Sequence, residues 1–106
     1  MRTLVFEVRN QKLDRSVDCD FKEIVSGTEG YLQAQFIFYG DAWKKCKIAA
    51  SFWVGEDEHA VLLDKNGVCM IPIAALMNKY FRVSLTGVKT DYKITTNKVK
   101  IKQEVF

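Results

Sequence analysis

The sequence has 106 residues, of which 48% are hydrophobic and 27% are charged. These values predict one globular domain over residues 1–106 and leave little length for a second. No apolar run reaches the roughly 18 residues of a membrane-spanning helix, and charged residues return too early for a secretory signal. The net charge of +3 is too mild to select one class of partner.

Alternation of apolar and polar residues is the main pattern in the first half of the chain, and it predicts short β-strands. Residues 3–9 alternate clearly, whereas residues 11–21 predict a loop that leads into a short strand. The two clearest strands are residues 31–39 and residues 46–54. Each of them carries one continuous apolar row, which predicts that both rows face a shared interior.

The aromatic residues of these rows fix the strand register. Phe36 and Phe38 lie in the apolar row of the first strand, and Phe52 lies in that of the second. A slip of one residue would turn a whole row outward. Burial of each large apolar side chain contributes roughly 1.5–3 kcal/mol, so the pattern disfavours any such slip.

Turn residues divide the second half of the chain. Residues 59–64 and 68–72 predict two strands, and the Asn-Gly pair at positions 66–67 predicts a hairpin between them. Asp64 is expected to stabilise that turn. Pro72 has no N–H group to donate, so regular pairing should end there and a short helical turn should follow.

The last strand changes the parity of its apolar residues between Ile94 and Val99, after another alternating strand at residues 81–87. Either a β-bulge or a move to a second sheet would explain the change. The strand also carries three lysines at alternate positions, which indicates a solvated sheet face and does not favour nucleic-acid binding without an accompanying motif. They are Lys98, Lys100 and Lys102. In total we expect seven or eight strands and at most one helical turn, which describes an all-β sandwich or small barrel.

No group of residues has the spacing of a catalytic or metal site. The acidic residues 56–58 precede His59, but neighbours on a strand point to opposite faces, so a solvated turn is expected. The three cysteines lack CxxC spacing and are predicted to be reduced thiols. They are Cys19, Cys46 and Cys69. We therefore predict no enzymatic activity, no cofactor and no bound metal.

Three aromatic residues fall on the sides of their strands opposite the apolar rows, namely Tyr31, Tyr39 and Trp53. If the two strands are neighbours, these residues and Ile37 form an outward patch suited to protein contacts. The alternative is that another part of the same chain covers them.

Three blocks of the sequence, in this order, resemble a phage domain. The block "SGTEGYLQAQFIFYGDAWKKCKIAASF" resembles a β-sandwich domain encoded by phages and prophages of Gram-positive bacteria. That family includes the N-terminal domain of the siphophage upper baseplate protein. The block "VLLDKNGVCMIPIAAL" resembles the family's next hairpin, and "FRVSLTGVKTDYKITTNKVKIK" resembles its closing strands. The resemblance covers about residues 24–103, and Ile73 stands where the family usually has tryptophan.

This resemblance implies an antiparallel immunoglobulin-like β-sandwich and a non-enzymatic role in a phage tail or baseplate. Other phage structural proteins, or copies of the same chain, would be its partners, in the virion or the host cytoplasm. The family's Gly-acidic-x-Trp corner corresponds to residues 40–43, so Trp43 should close one end of the core against Phe38 and Leu76. The alternative function is a small phage accessory protein that binds and inhibits a host enzyme or defence complex.

Overall fold

The computed structural model describes residues 1–105, which form nine strands and one short helix. This confirms the predicted all-β chain with one helical turn, although the strands number nine instead of seven or eight. The elements are β1 (Arg2–Arg9), β2 (Lys12–Arg15), β3 (Leu32–Tyr39), β4 (Lys47–Val54), β5 (Asp57–Leu62), β6 (Val68–Met70), α1 (Ile73–Leu76), β7 (Tyr80–Lys89), β8 (Tyr92–Thr95) and β9 (Val99–Lys102).

The strands form two sheets, one in the order β2-β1-β3-β6 and the other in the order β5-β4-β7-β8, with β9 also paired to β7. All named pairs are antiparallel except β1 and β3, which run parallel from Arg2 opposite Leu32 to Arg9 opposite Tyr39. The expected antiparallel arrangement is therefore wrong for this pair. The connection at residues 16–31 returns the chain to the start of β1, where the Arg2 guanidinium donates hydrogen bonds of 2.6–3.0 Å to three of its carbonyls.

The core lies between the two sheets and is rich in aromatic residues. Phe36 and Phe52 are both buried, on the sides of β3 and β4 that their alternation predicts. The Phe36 ring stacks on Phe6 with 5.1 Å between centroids, and Phe52 lies 6.1 Å from Phe81. Side chains that pack at these distances contribute dispersion and aromatic contacts in addition to hydrophobic burial.

A bulge explains the parity change near the C-terminus. On β7, Gly87 faces Ile94 of β8 and Phe81 faces Ile101 of β9. The two β7 residues are six positions apart, whereas the two isoleucines are seven positions apart, so the segment from β8 to β9 contains one extra residue. Both isoleucines consequently point into the core. The chain stays beside β7 throughout, so the alternative of a move to the other sheet is wrong.

Two connections differ from their predicted form. Within residues 11–21 the strand comes first, as β2, and the loop follows it. The predicted hairpin around residues 66–67 is also wrong, because β5 pairs with β4 whereas β6 pairs with β3 in the other sheet. The turn chemistry is as predicted, since the Asp64 carboxylate accepts the Asn66 and Val68 N–H groups at 2.8 and 2.9 Å.

Pro72 lies directly before α1, which agrees with the predicted end of pairing at this residue. The last strand-like contact before it is the hydrogen bond from Ile71 N–H to the Leu32 carbonyl, at 3.1 Å. Pro72 is extended, with φ of −65° and ψ of 146°, and the helix begins at the next residue.

The two lateral sides of the sandwich are closed differently. On one side the Asn97 amide donates to the Leu13 carbonyl at 3.1 Å, and its oxygen accepts the Leu13 N–H at 2.8 Å. The Gln11 amide adds a hydrogen bond of 3.1 Å to the carbonyl of Thr95. On the other side, near β6 and the start of β4, an open cleft of about 530 Å³ remains between the sheets.

Candidate interaction surfaces

Trp43 closes one end of the sandwich. It is only 4% exposed, its indole N–H donates to the Asn10 carbonyl at 2.7 Å, and its ring lies 5.5 Å from that of half-buried Phe38. It also covers Gly87, where an added Cβ would lie 2.8 Å from Cε3 of the indole. The expected contact with Leu76 is wrong, because the Gln103 amide donates hydrogen bonds to the carbonyls of Ala75 and Asn78 beside the start of β7, whereas Gly87 lies about 23 Å along that strand.

The aromatic candidates Tyr31, Tyr39 and Trp53 do not form one patch. β3 and β4 belong to different sheets, so the first two residues and the third lie on opposite outer faces of the sandwich. Tyr31 and Tyr39 are 51% and 43% exposed, but Tyr31 directly precedes β3 and Tyr39 ends it, so eight positions of extended chain, about 26 Å, separate them. The Arg9 guanidinium lies 4.2 Å from the Tyr39 ring centroid.

The outer face of the four-stranded sheet mixes polar and apolar groups. The Gln33 amide donates a hydrogen bond of 2.8 Å to the Thr3 hydroxyl, partly exposed Met70 lies opposite Gln33 on β6, and partly exposed Ile37 lies four residues farther along β3. Near its other end the hydrogen bond from Arg9 holds the pKa of Glu7 below its ordinary value. The charges on this face are largely matched within the chain, which leaves little net field to attract a charged partner.

Trp53 lies on the outer face of the five-stranded sheet and leans across β7. Its indole N–H donates to the Ser84 hydroxyl at 2.9 Å. Ser84 and its cross-strand neighbour Ser51 are only 7% and 2% exposed, although they are on the solvent side of the sheet. The Ser51 hydroxyl hydrogen-bonds the carboxylate of Glu58, and the Lys98 ammonium lies 3.8 Å from the Trp53 ring centroid.

Lys98 belongs to a larger group of cations and aromatic rings. The Lys100 ammonium lies 4.2 Å from the ring centroid of Tyr80 on β7, and the Arg82 guanidinium lies 5.1 Å from the same centroid. We call this surface the basic face. It consists of Trp53, Tyr80, Arg82, Lys98, Lys100 and Lys102, and Lys47 and Lys93 extend it toward the other end of the sheet.

Within residues 1–105 no salt bridge matches the positive charge of the basic face. Among residues 1–105 the salt bridges are those of Arg9, Lys12 and Lys44, all of which lie elsewhere. The one carboxylate beside Trp53, that of Glu58, is engaged by a serine hydroxyl. The alternating lysines indicated a solvated strand. Arg82 on β7 pairs with Lys100 on β9, and this pairing depends on the one-residue shift in register that the bulge introduces.

No protein-family model matches this chain, and no curated protein matches it. The surfaces of residues 1–105 therefore carry the functional inference. Within that part of the chain no three histidine, cysteine or acidic residues are grouped to hold a metal ion. The same residues include no helix of the length and apolarity needed to cross a bilayer.

The three cysteines are unpaired thiols in different surroundings. Burial raises the pKa of the Cys69 thiol to about 12, with a smaller contribution from the negative charge of Asp64. Such a thiol stays protonated near neutral pH and is a poor nucleophile. The Cys19 sulfur accepts the Val5 N–H at 3.3 Å, and Cys46 lines the open cleft.

Proposed function

We propose that this chain is a non-enzymatic structural or assembly module of a phage tail or baseplate, folded as one immunoglobulin-like β-sandwich over residues 1–106. Its role is to bind other phage structural proteins. The resemblance of about residues 24–103 to the phage domain supports this proposal. Two facing sheets of short strands around one core are consistent with such a domain.

The observation that carries the proposal is the basic face. It places two partly exposed rings, Trp53 and Tyr80, and the Arg82 guanidinium on paired strands of one sheet. Tryptophan, tyrosine and arginine are the residues most enriched where truncation weakens protein complexes. Because the strands hold these groups in place before binding, a partner loses little affinity to their ordering.

Binding measurements with purified tail and baseplate proteins of the same phage would test this function. The chain would be immobilised and each protein passed over it, while mass spectrometry of purified virions shows whether the chain is present in the particle. We expect at least one of these proteins to bind. Trp53→Ala should weaken that complex by roughly 30-fold, the effect of losing about 2 kcal/mol at a central contact.

Tyr31→Ala provides the matched control, since it removes an exposed ring from the opposite outer face. A loss of affinity with Tyr31→Ala instead of Trp53→Ala would place the interface on the four-stranded sheet. If no tail or baseplate protein binds and the virion lacks the chain, the proposed function is wrong. Size-exclusion chromatography would show whether copies of the chain are themselves the partner.

A further inference from the structure

We propose that the basic face docks an extended acidic segment of a partner protein, an inference that rests on the proposed function for the class of partner. The segment would lie along β9 with carboxylates directed at the lysine ammonium groups. Charge, spacing and the state of the aromatic rings each support this partner chemistry.

The spacing of the cations fits an extended chain. Lys100 and Lys102 occupy alternate positions of β9, so their Cα atoms lie about 6.6–6.8 Å apart, and Lys98 directly precedes the strand. An extended partner segment with an acidic residue at every second position repeats at the same distance. Arg82 pairs with Lys100 across the strands and adds a second column about 5 Å away.

The charge of the basic face also favours an anionic partner. Lys98, Lys100, Lys102 and Arg82 have no salt bridge within residues 1–105. Like charges held on neighbouring strands repel each other, and carboxylates between them would relieve that repulsion. Complementary charge of this kind raises the association rate and selects the partner.

The rings argue against single-stranded nucleic acid as the occupant. Sequence-independent binders stack bases on free aromatic faces, whereas here an ammonium group already lies over each ring, Lys98 over Trp53 and Lys100 over Tyr80. Three of the four cations are lysines, which present point charges, and only Arg82 offers the planar fork that suits phosphate. The basic face therefore offers ammonium groups at fixed positions, which suit carboxylates better than stacked bases.

The test uses the whole chain and three fluorescently labelled probes: a synthetic peptide of alternating glutamate and threonine, its glutamine-threonine counterpart, and a thymidine oligonucleotide of equal charge. Fluorescence anisotropy at low and at physiological salt would give the affinities. The variant Lys98→Gln/Lys100→Gln/Lys102→Gln removes three charges from the basic face. The control variant, with the same change at the exposed lysines 12, 22 and 65, removes three charges elsewhere. Circular dichroism would verify that both variants fold.

We expect the glutamate peptide to bind the wild type and the control variant, and to bind the basic-face variant about tenfold more weakly. Salt should weaken the binding, and the glutamine peptide should not bind. Equal binding to both variants, absence of binding to the wild type, or tighter binding of the oligonucleotide would overturn the inference.

This test separates the inference from the proposed function. If a tail or baseplate protein binds the wild type and the basic-face variant equally, the proposed function stands and the acidic-segment inference is wrong. If the glutamate peptide binds through the lysines while no tail or baseplate protein binds, the inference stands and the phage role is wrong.

Discussion

Gly87→Ala should lower the free energy of unfolding by about 1–2 kcal/mol, although alanine normally suits a strand better than glycine. The added Cβ would lie 2.8 Å from Cε3 of Trp43 and 3.2 Å from Cβ of Cys46. Carbon atoms pack at about 3.5–4.0 Å, so the indole would have to retreat by about 0.7 Å. Its hydrogen bond to the Asn10 carbonyl and its contact with Phe38 oppose that movement.

The magnitude follows from two opposing effects. Overpacking of a close-packed core costs about 1–3 kcal/mol, while the reduced freedom of the unfolded chain returns about 0.4–1 kcal/mol. Urea unfolding followed by far-ultraviolet circular dichroism would measure the difference without depending on tryptophan emission. The Trp43→Leu background removes the ring atoms that the new Cβ meets, so Gly87→Ala should be neutral or stabilising there.

A double-mutant cycle therefore isolates the contact, with an expected coupling of about 1–3 kcal/mol between the two positions. If Gly87→Ala costs the same in both backgrounds, or costs nothing in the wild type, Trp43 does not cover this glycine in solution. The position assigned to the indole at the end of the sandwich would then be wrong.

Two further predictions concern a side-chain link and a thiol. Asn97→Ala should lower the free energy of unfolding by about 1–3 kcal/mol, because both Leu13 main-chain groups lose their partner. Asn66→Ala, at an exposed turn, is the control, and equal losses in urea unfolding would contradict the role of the link. Cys69 should resist iodoacetamide in the folded protein and react once urea unfolds it, as peptide mass spectrometry would show; rapid labelling of the folded chain would refute its burial. Because its folded pKa of about 12 exceeds the ordinary 9.0, the unfolded chain loses this proton first, so stability should fall above about pH 9, and Cys69→Ala should reduce that fall.

Sequence alternation predicted which side chains are buried but not which strands are neighbours. The inward rows of Phe36 and Phe52 follow from a period of two, which holds whichever strand lies alongside. Pairing depends on where the connections lead, and the corner that contains Trp43 passes from one sheet to the other. That passage places Tyr39 and Trp53 on different sheets. The single outward patch that was expected if the two strands were neighbours therefore does not exist.

Local turn chemistry was likewise predictable where the topology was not. Asp64 hydrogen-bonds the turn that follows it, which the sequence indicates at short range. The residues of a turn set only the local direction of the chain. The same turn could therefore connect two strands that pair with each other or two strands that belong to different sheets. Similarly, Lys98 and Lys100 were visible as a solvated row, whereas their contacts with the rings of Trp53 and Tyr80 require three strands to meet.

The parallel pair of β1 and β3 has a kinetic consequence. Each residue of β1 pairs with the residue thirty positions later, beginning with Arg2 and Leu32. A long loop must therefore close before any hydrogen bond of this ladder can form. The hairpins of β1 with β2 and of β7 with β8 close much shorter loops and should nucleate first. The ladders of β3 with β6 and of β4 with β7 close loops of similar length, so these long-range pairings together should limit folding to the roughly millisecond-to-second timescale of non-local β topologies.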